Sequence, residues 1–293
     1  PTIDRRLKSS LLPACMLSFV AVGSFPRALS YTPTLLRPTF AMGATSAMPP
    51  AKRRAAFVSG GARKQARGIM DVICAAERST VALPTGVEME YFHTKPSGAS
   101  TKPPILFVHG SFHGGWCWAE HWMQHLADLG YPSYAPSLRG TSGTAVQEGT
   151  KSVELTEHTA DIEAFMNAVL PADSKPVLAG HSFGGLYVQK VAETMQRPIH
   201  ALVMLASVGP SGTSGTVNRY IWSKPLLAWA IVQALVLKQA ATNEAVCRKV
   251  FFGEDVASSD LARFMDRFKL DCKIGLNIGS ALKQFPSKTC MTE

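Results

Sequence analysis

The chain has 293 residues, of which 46% are apolar and 17% charged, a balance typical of globular proteins and sufficient for a sizeable core. Its formal net charge of +9 lies in the first quarter: residues 1–79 carry 12 Lys and Arg against 3 Asp and Glu, whereas residues 80–293 carry 18 of each. Nucleic-acid binding needs basic residues clustered on the folded body, so a neutral body argues against it. The six cysteines form no C-x-x-C pair, which indicates neither a disulfide framework nor a structural zinc site.

The first quarter has the composition of a targeting leader. A basic start (Arg5, Arg6 and Lys8) precedes the mostly apolar stretch Leu11 to Phe25, and small residues at 28–30 offer a signal-peptidase site. The apolar stretch is shorter than the ~20 residues of a spanning helix, so no stable membrane span is expected. Residues 31–78 are Arg-rich and acid-poor, like a transit peptide. We therefore expect 1–79 to be a signal plus transit-like leader, largely disordered, directing the protein to a plastid; the alternative is the secretory pathway.

After the leader, strands and helices alternate. Predicted strands are 87–92, 104–108, 131–135, 176–180 and 201–205, and predicted helices are 120–129, 153–169 and 184–195. Strands separated by helices of this length imply right-handed crossovers and a mostly parallel sheet flanked by helices. From Ser207 onward only helices are predicted, over 222–238 and 258–268. We expect an α/β core over 80–206, a helical cap over 207–286 and a short tail over 287–293.

One motif carries candidate chemistry. Gly180-His181-Ser182-Phe183-Gly184 matches G-x-S-x-G and lies between an apolar strand and a helix, which is the context of a nucleophile elbow. Such a turn holds Ser182 in a strained conformation with its hydroxyl at the carboxyl edge of the sheet. The amide of Phe183 opens the following helix, where the helix dipole favours an oxyanion.

A second element strengthens this interpretation. The earlier strand ends at Val108-His109-Gly110-Ser111, where the loop that gives the other oxyanion amide is expected, and we assign that amide to Ser111. We therefore predict Ser182 as nucleophile and the Ser111 and Phe183 amides as oxyanion hole. No metal site, metal ion or organic cofactor is implied.

These motifs identify a resemblance. The segment from about Val81 to Val208 resembles the α/β-hydrolase superfamily, and residues 109–118 (HGSFHGGWCW) are similar to the loop of plant methylesterase and hydroxynitrile-lyase relatives and of chloroplast α/β-hydrolase-like proteins. The resemblance implies the α/β-hydrolase fold and the Ser182, Ser111 and Phe183 roles given above. A Ser nucleophile argues against the branches of this superfamily that use Asp.

The chain departs from the pattern in its catalytic triad. The resemblance implies an acid and then a His after the nucleophile, yet only His200 follows Ser182, at the amino end of its strand. Asp255, Asp260, Asp266 and Asp271 are expected to be helix-surface charges. We thus predict no catalytic acid or His in the chain, and expect the last core strands to be missing, which would leave Ser182 a weak nucleophile. A minor departure places Ser137 where relatives carry Asp.

The leading hypothesis is a serine hydrolase of the α/β-hydrolase class, incomplete as given, that acts on carboxylic esters through an acyl-enzyme on Ser182. The alternatives are a non-catalytic protein that binds a small apolar ligand, and a lyase or acyltransferase on the same scaffold. The expected partner is a small-molecule ester or apolar ligand. The sequence does not indicate an oligomeric state.

Overall fold

The computed structural model describes residues 76–253 and 255–286, together with the backbone of Val20–Val22. The rest of the predicted leader and the tail 287–293 lie outside the described residues. Within the described residues, the main sheet consists of seven strands, β1 Val20–Val22, β2 Glu77–Ala82, β3 Glu88–Thr94, β4 Ile105–Val108, β5 Ser133–Pro136, β7 Val177–His181 and β8 Ala201–Leu205. Their spatial order is β1-β8-β7-β4-β5-β3-β2.

The centre of this sheet is parallel, as predicted. Strands β5, β4, β7 and β8 pair in parallel, whereas β3, β2 and β1 add antiparallel strands at the two sides. Val108 pairs with Gly180, so the chain leaves β4 and β7 at the same edge of the sheet. The α/β fold class is therefore confirmed, and the two motifs of the sequence meet at one edge.

Helices cover both faces of the sheet and continue beyond β8. Their bounds are α1 Trp116–Ala119, α2 Trp122–Asp128, α3 Leu155–Val169, α4 Phe183–Thr194, α5 Ser214–Ser223, α6 Pro225–Ile231, α7 Glu244–Phe251, α8 Ser258–Asp271 and α9 Ile278–Ala281. A π-helical turn, Val232–Val236, follows α6, and a 3-10 turn, Gln239–Ala241, precedes α7. Two short strands, β6 (Ser152–Val153) and β9 (Gly275–Leu276), pair in parallel and join the end of the helical region to the start of α3.

The apolar core follows from strand alternation, which sends neighbouring side chains to opposite faces. Leu106 and Val108 of β4 face a cluster built with α3 and α4, including Phe165 and Leu186. The intervening Phe107 faces a second cluster with α1 and α2. A third cluster lies in the helical region after β8, where α7 and α8 pack on the loop after β4 through Phe112, Trp116 and Phe268. The oxyanion-loop candidate therefore lies between the sheet and these helices.

Most predicted elements are present, with shifted ends. Strand β8 has the predicted bounds, and α4 begins at Phe183, one residue before the predicted start. Strand β2 begins at Glu77, three residues inside the range assigned to the leader. The single helix predicted over 222–238 is divided, because Pro225 lacks an N–H and starts a new helix at its first position. Among the described helices, none combines the length and hydropathy needed to cross a bilayer.

Candidate functional site

Ser182 occupies the sharp turn between β7 and α4. Its backbone has φ +55° and ψ −122°, a conformation that is strained for a residue with a Cβ. Two backbone hydrogen bonds from the neighbouring strand region hold this turn: Ser182 N donates to Leu205 O (3.1 Å), and Val208 N donates to Ser182 O (3.1 Å). The strain predicted for Ser182 is thus present, and contacts with the chain around the end of β8 maintain it.

Glycines let the start of α4 approach the neighbouring strands. A Cβ on Gly184 would collide with the carbonyl oxygens of Val108 and His109, and a Cβ on Gly180 would lie 2.5 Å from the carbonyl oxygen of Gly184. These are backbone atoms, which cannot rotate away. Only glycine fits at both positions, so the G-x-S-x-G spacing follows from close packing of α4 on β7 at Gly180 and on β4 at Gly184.

The loop after β4 lies directly against the nucleophile candidate. A Cβ on Gly110 would lie 2.7 Å from Ser182 Cβ and 3.0 Å from the carbonyl oxygen of His181. Ser111 follows Gly110 and is exposed, while Phe183 is the first residue of α4. The first amides of a helix have no intrahelical acceptor and carry partial positive charge. The structure therefore brings Ser182, the Ser111 segment and Phe183 to one corner of the sheet edge.

His109 fixes the base of this loop. Its Nε2 accepts from Leu138 N (2.9 Å), so the proton is on Nδ1, which donates to Gly110 O (2.8 Å). The ring is fully buried, and burial lowers the pKa of His109 to about 4. His109 is consequently a neutral structural residue that joins the loops after β4 and β5.

His113 lies in an aromatic cluster above the loop. Its Nδ1 donates to Ser111 O (2.8 Å), and its ring stacks on Trp116 at 5.7 Å and meets Phe268 at 5.0 Å between centroids. The His181 ring centre is 6.1 Å away. Burial lowers the pKa of both His113 and His181 to about 4, so both rings are neutral at pH 7. The loop-stabilising hydrogen bond of His113 orients the carbonyl of Ser111.

A general base for Ser182 is not found in the part of the chain that the structure describes, where no side chain hydrogen-bonds its Oγ. His200 N donates to Pro176 O at the start of β8, and Ala201 pairs with Val177. His200 thus lies at the amino edge, the length of a strand away from Ser182, as the sequence predicts.

One of the four aspartates expected on the helix surface, Asp271, is buried. Asp255, Asp260 and Asp266 are exposed as predicted, but Asp271 at the end of α8 is only 2% exposed. Its carboxylate accepts from Trp116 Nε1 (2.7 Å) and from the backbone N (2.5 Å) and Oγ (3.0 Å) of Ser142. Burial raises the pKa of Asp271, and these hydrogen bonds partly oppose that rise. The expectation of a surface charge was wrong because the partners of Asp271 lie more than a hundred residues away in the chain.

The structure also shows the contacts of Ser137, which stands where relatives carry Asp. Ser137 is fully buried, its Oγ donates to Glu90 Oε1 (2.8 Å), and it accepts from Gly115 N (3.0 Å). Glu90 is also buried and pairs with Arg78. A carboxylate is therefore present at this place, but it comes from β3 and reaches the loop through a serine.

An apolar cavity lies beside the elbow. It has a volume of about 230 Å³, and its lining includes Phe183 and Val208 from the elbow region, Val217 from α5, and Leu282 and Phe285 after α9. The sequence could not locate it, since its walls come from segments about a hundred residues apart.

Three comparisons place the chain among known proteins. The model of the alpha/beta hydrolase family matches residues 105–279. Salicylic acid-binding protein 2 of Nicotiana tabacum is 30% identical over 152 residues, which are 51% of this chain and 56% of that protein. Methylesterase 1 of Arabidopsis thaliana is 30% identical over 131 residues, which are 44% of this chain and 49% of that protein. The chain thus spans about half the length of these curated relatives.

Among solved structures, an alpha/beta hydrolase from Novosphingobium aromaticivorans aligns over 50% of this chain and 49% of that chain, with 20% identity and a TM-score of 0.43.

Proposed function

The chain belongs to the α/β-hydrolase family, and from this premise we propose that it supplies the nucleophile and oxyanion hole of a serine esterase. The observation that carries the proposal is the strained Ser182, with φ +55° at a strand-to-helix turn and the Gly110 loop against it. Structural serines rarely occupy this conformation, because it costs on the order of 1–3 kcal/mol.

In this proposal Ser182 Oγ attacks the carbonyl carbon of a carboxylic ester. The Oγ–C bond forms, the oxyanion accepts hydrogen bonds from the Ser111 and Phe183 amides, and the C–O bond to the alcohol breaks to leave an acyl-enzyme. The Oγ proton passes through a general base to the leaving alcohol, and water then releases the acid. Since no described residue is positioned to act as that base, we expect Ser182 to attack the ester slowly.

The ester class is supported by the apolar cavity and by the relatives. A cavity of about 230 Å³ beside Phe183 fits a small apolar acyl or alcohol group. One of the relatives is named a methylesterase. Both observations favour a small or apolar ester over a charged substrate.

The test is the burst of p-nitrophenol when the protein is mixed with p-nitrophenyl butyrate. We expect a slow burst of one equivalent, lost in Ser182→Ala and retained in Ser223→Ala, since Ser223 is exposed on α5. An equal burst from Ser182→Ala would exclude Ser182 as the nucleophile.

A second candidate function is the binding of a small apolar ligand without catalysis. It is favoured by the apolar cavity together with the absence of a described base at Ser182. In that case p-nitrophenyl butyrate should bind and remain intact, and Phe285→Asp should weaken binding, because Phe285 lines the cavity.

We also propose plastid localisation, on the composition of residues 1–79 alone. A fluorescent protein fused after residues 1–80 is expected in plastids. Retention of the fusion protein in the secretory pathway would instead favour a secretory leader.

A further inference from the structure

The helices after β8 expose an unusual number of large apolar side chains. The largest exposed fractions are 81% for Trp222, 79% for Leu226, 70% for Val236 and 56% for Trp229. Val217, Ile221, Val232, Leu235 and Leu237 of the same segment are also exposed. We call residues 217–237 the α5–α6 surface. Exposed apolar patches of this kind mark contact with a partner or a membrane.

The pattern of burial on this surface is inverted. Helix α5 has no buried residue, and α6 and the π turn each bury one alanine, Ala230 and Ala234. These small side chains face the protein, while the bulky Leu226, Trp229 and Val236 face outward. A globular helix in water shows the opposite arrangement, with its large apolar residues inside. The outward face therefore suits an apolar medium.

The charge on this surface selects the partner. Residues 209–243 contain Arg219, Lys224 and Lys238 and no Asp or Glu, and all three basic residues are exposed. A symmetric dimer through this surface would bring like charges together without an acidic partner. An anionic lipid surface satisfies both the basic and the apolar residues, and exposed Trp is favoured at the boundary between water and hydrocarbon.

We propose that the α5–α6 surface docks on an anionic lipid bilayer, with Trp222 and Trp229 at the headgroup boundary and the helices parallel to the membrane. Val217 belongs both to this surface and to the lining of the cavity beside Phe183. If the proposed esterase function holds, an apolar ester leaving the bilayer would meet that cavity first. The docking itself does not depend on Ser182 chemistry.

The test is tryptophan fluorescence of the full chain with vesicles of brominated phosphatidylcholine, with and without phosphatidylglycerol. We expect bromine quenching with phosphatidylglycerol vesicles, lost in the double variant Trp222→Phe/Trp229→Phe. The matched control Trp122→Phe should leave quenching in place, because Trp122 lies on α2 and packs on the core. Arg219→Gln/Lys224→Gln should lower the vesicle partition coefficient by about tenfold or more, whereas Lys151→Gln/Lys175→Gln on the core should not.

Three outcomes would overturn the proposal. Vesicle binding without quenching would show that the basic leader alone attaches the chain. Quenching unchanged in Trp222→Phe/Trp229→Phe would place another surface at the membrane. A concentration-dependent dimer without lipid, abolished by Trp222→Asp, would identify a second copy as the occupant. None of these readouts involves ester hydrolysis, so failure here is distinguishable from failure of the proposed function.

Discussion

Single glycine residues shape the candidate site, because a Cβ atom at their positions would collide with neighbouring atoms. The close approach of α4 to β4 is possible because Gly184 has no Cβ, and the oxyanion-loop candidate reaches Ser182 because Gly110 has none. The motif glycines were predictable from sequence, since the G-x-S-x-G pattern has a known geometric cause. The approach of the Gly110 loop to Ser182 was expected only because the end of the earlier strand is where the second oxyanion amide is expected.

Gly184→Ala is expected to destabilise the protein by about 2 kcal/mol or more, because the new Cβ meets two backbone carbonyls. The control is Gly98→Ala, where nothing lies within 4 Å of the added Cβ; its effect should stay within about 0.5 kcal/mol. Urea unfolding of both variants measures the difference. Equal stabilities would mean that α4 does not pack on β4 as described.

The oxyanion assignment has a test that separates backbone from side chain. Ser111→Pro removes the proposed amide donor, whereas Ser111→Ala retains it. We expect Ser111→Pro to slow the p-nitrophenol burst by about 10²-fold relative to Ser111→Ala, the usual effect of losing one oxyanion donor. Equal burst rates would remove Ser111 from the oxyanion hole.

Among the helices and strands, α8 is attached to the α/β core by a buried polar contact. Asp271 at the end of α8 accepts hydrogen bonds from Trp116 of α1 and from Ser142 after β5. The same helix carries Phe268, which packs on the ring of His113. Movement of α8 would therefore disturb the loop that contains Ser111.

Asp271→Ala should lower the free energy of unfolding by about 2–3 kcal/mol, since it leaves the buried donor of Trp116 and the partly buried donors of Ser142 without an acceptor. The matched control Asp266→Ala lies on the same helix, where Asp266 is exposed and pairs with Lys269; it should change stability by less than about 0.5 kcal/mol. Thermal unfolding of the two variants gives the comparison. A destabilisation by Asp266→Ala as large as that by Asp271→Ala would contradict the attachment of α8 to the core through Asp271.

Sequence periodicity predicted the elements better than their contacts. Strand β8 and helix α3 were found because local apolar patterns define them, and the elbow because its motif is local. Asp271 was misassigned because a helix pattern does not show which end of a helix enters the core. The division of the predicted 222–238 helix and the exposure of its large residues depend on tertiary packing, which no local pattern contains.

At the scale of the whole molecule, buried neutral histidines should make the fold sensitive to acid. Burial lowers the pKa of His109, His113 and His181 to about 4 and that of His158 to about 3. The unfolded chain binds a proton at each below a pKa of about 6.5. Between these pKa values the unfolded state binds more protons than the folded state. The stability contributed by the neutral histidines is therefore fully present above about pH 6.5 and falls as the pH is lowered.

His158 offers the clearest test of this dependence. It is 5% exposed, its ring lies tilted against that of Tyr187 at 4.8 Å between centroids, and its Nδ1 has no hydrogen-bond partner among the described residues. We expect His158→Phe to reduce the stability lost between pH 7 and pH 5 by about 1–2 kcal/mol. His125→Gln, at an exposed position on α2, is the control and should leave the loss as in the wild type. Urea unfolding at the two pH values measures it, and an unchanged loss in His158→Phe would contradict a neutral buried His158.

Covalent mapping can show whether Ser182 is the nucleophile. The protein would be treated with a fluorophosphonate, digested, and the adduct located by mass spectrometry. We expect the adduct on Ser182, formed slowly and absent from Ser182→Ala. An adduct on another serine, or labelling that persists in Ser182→Ala, would contradict the assignment.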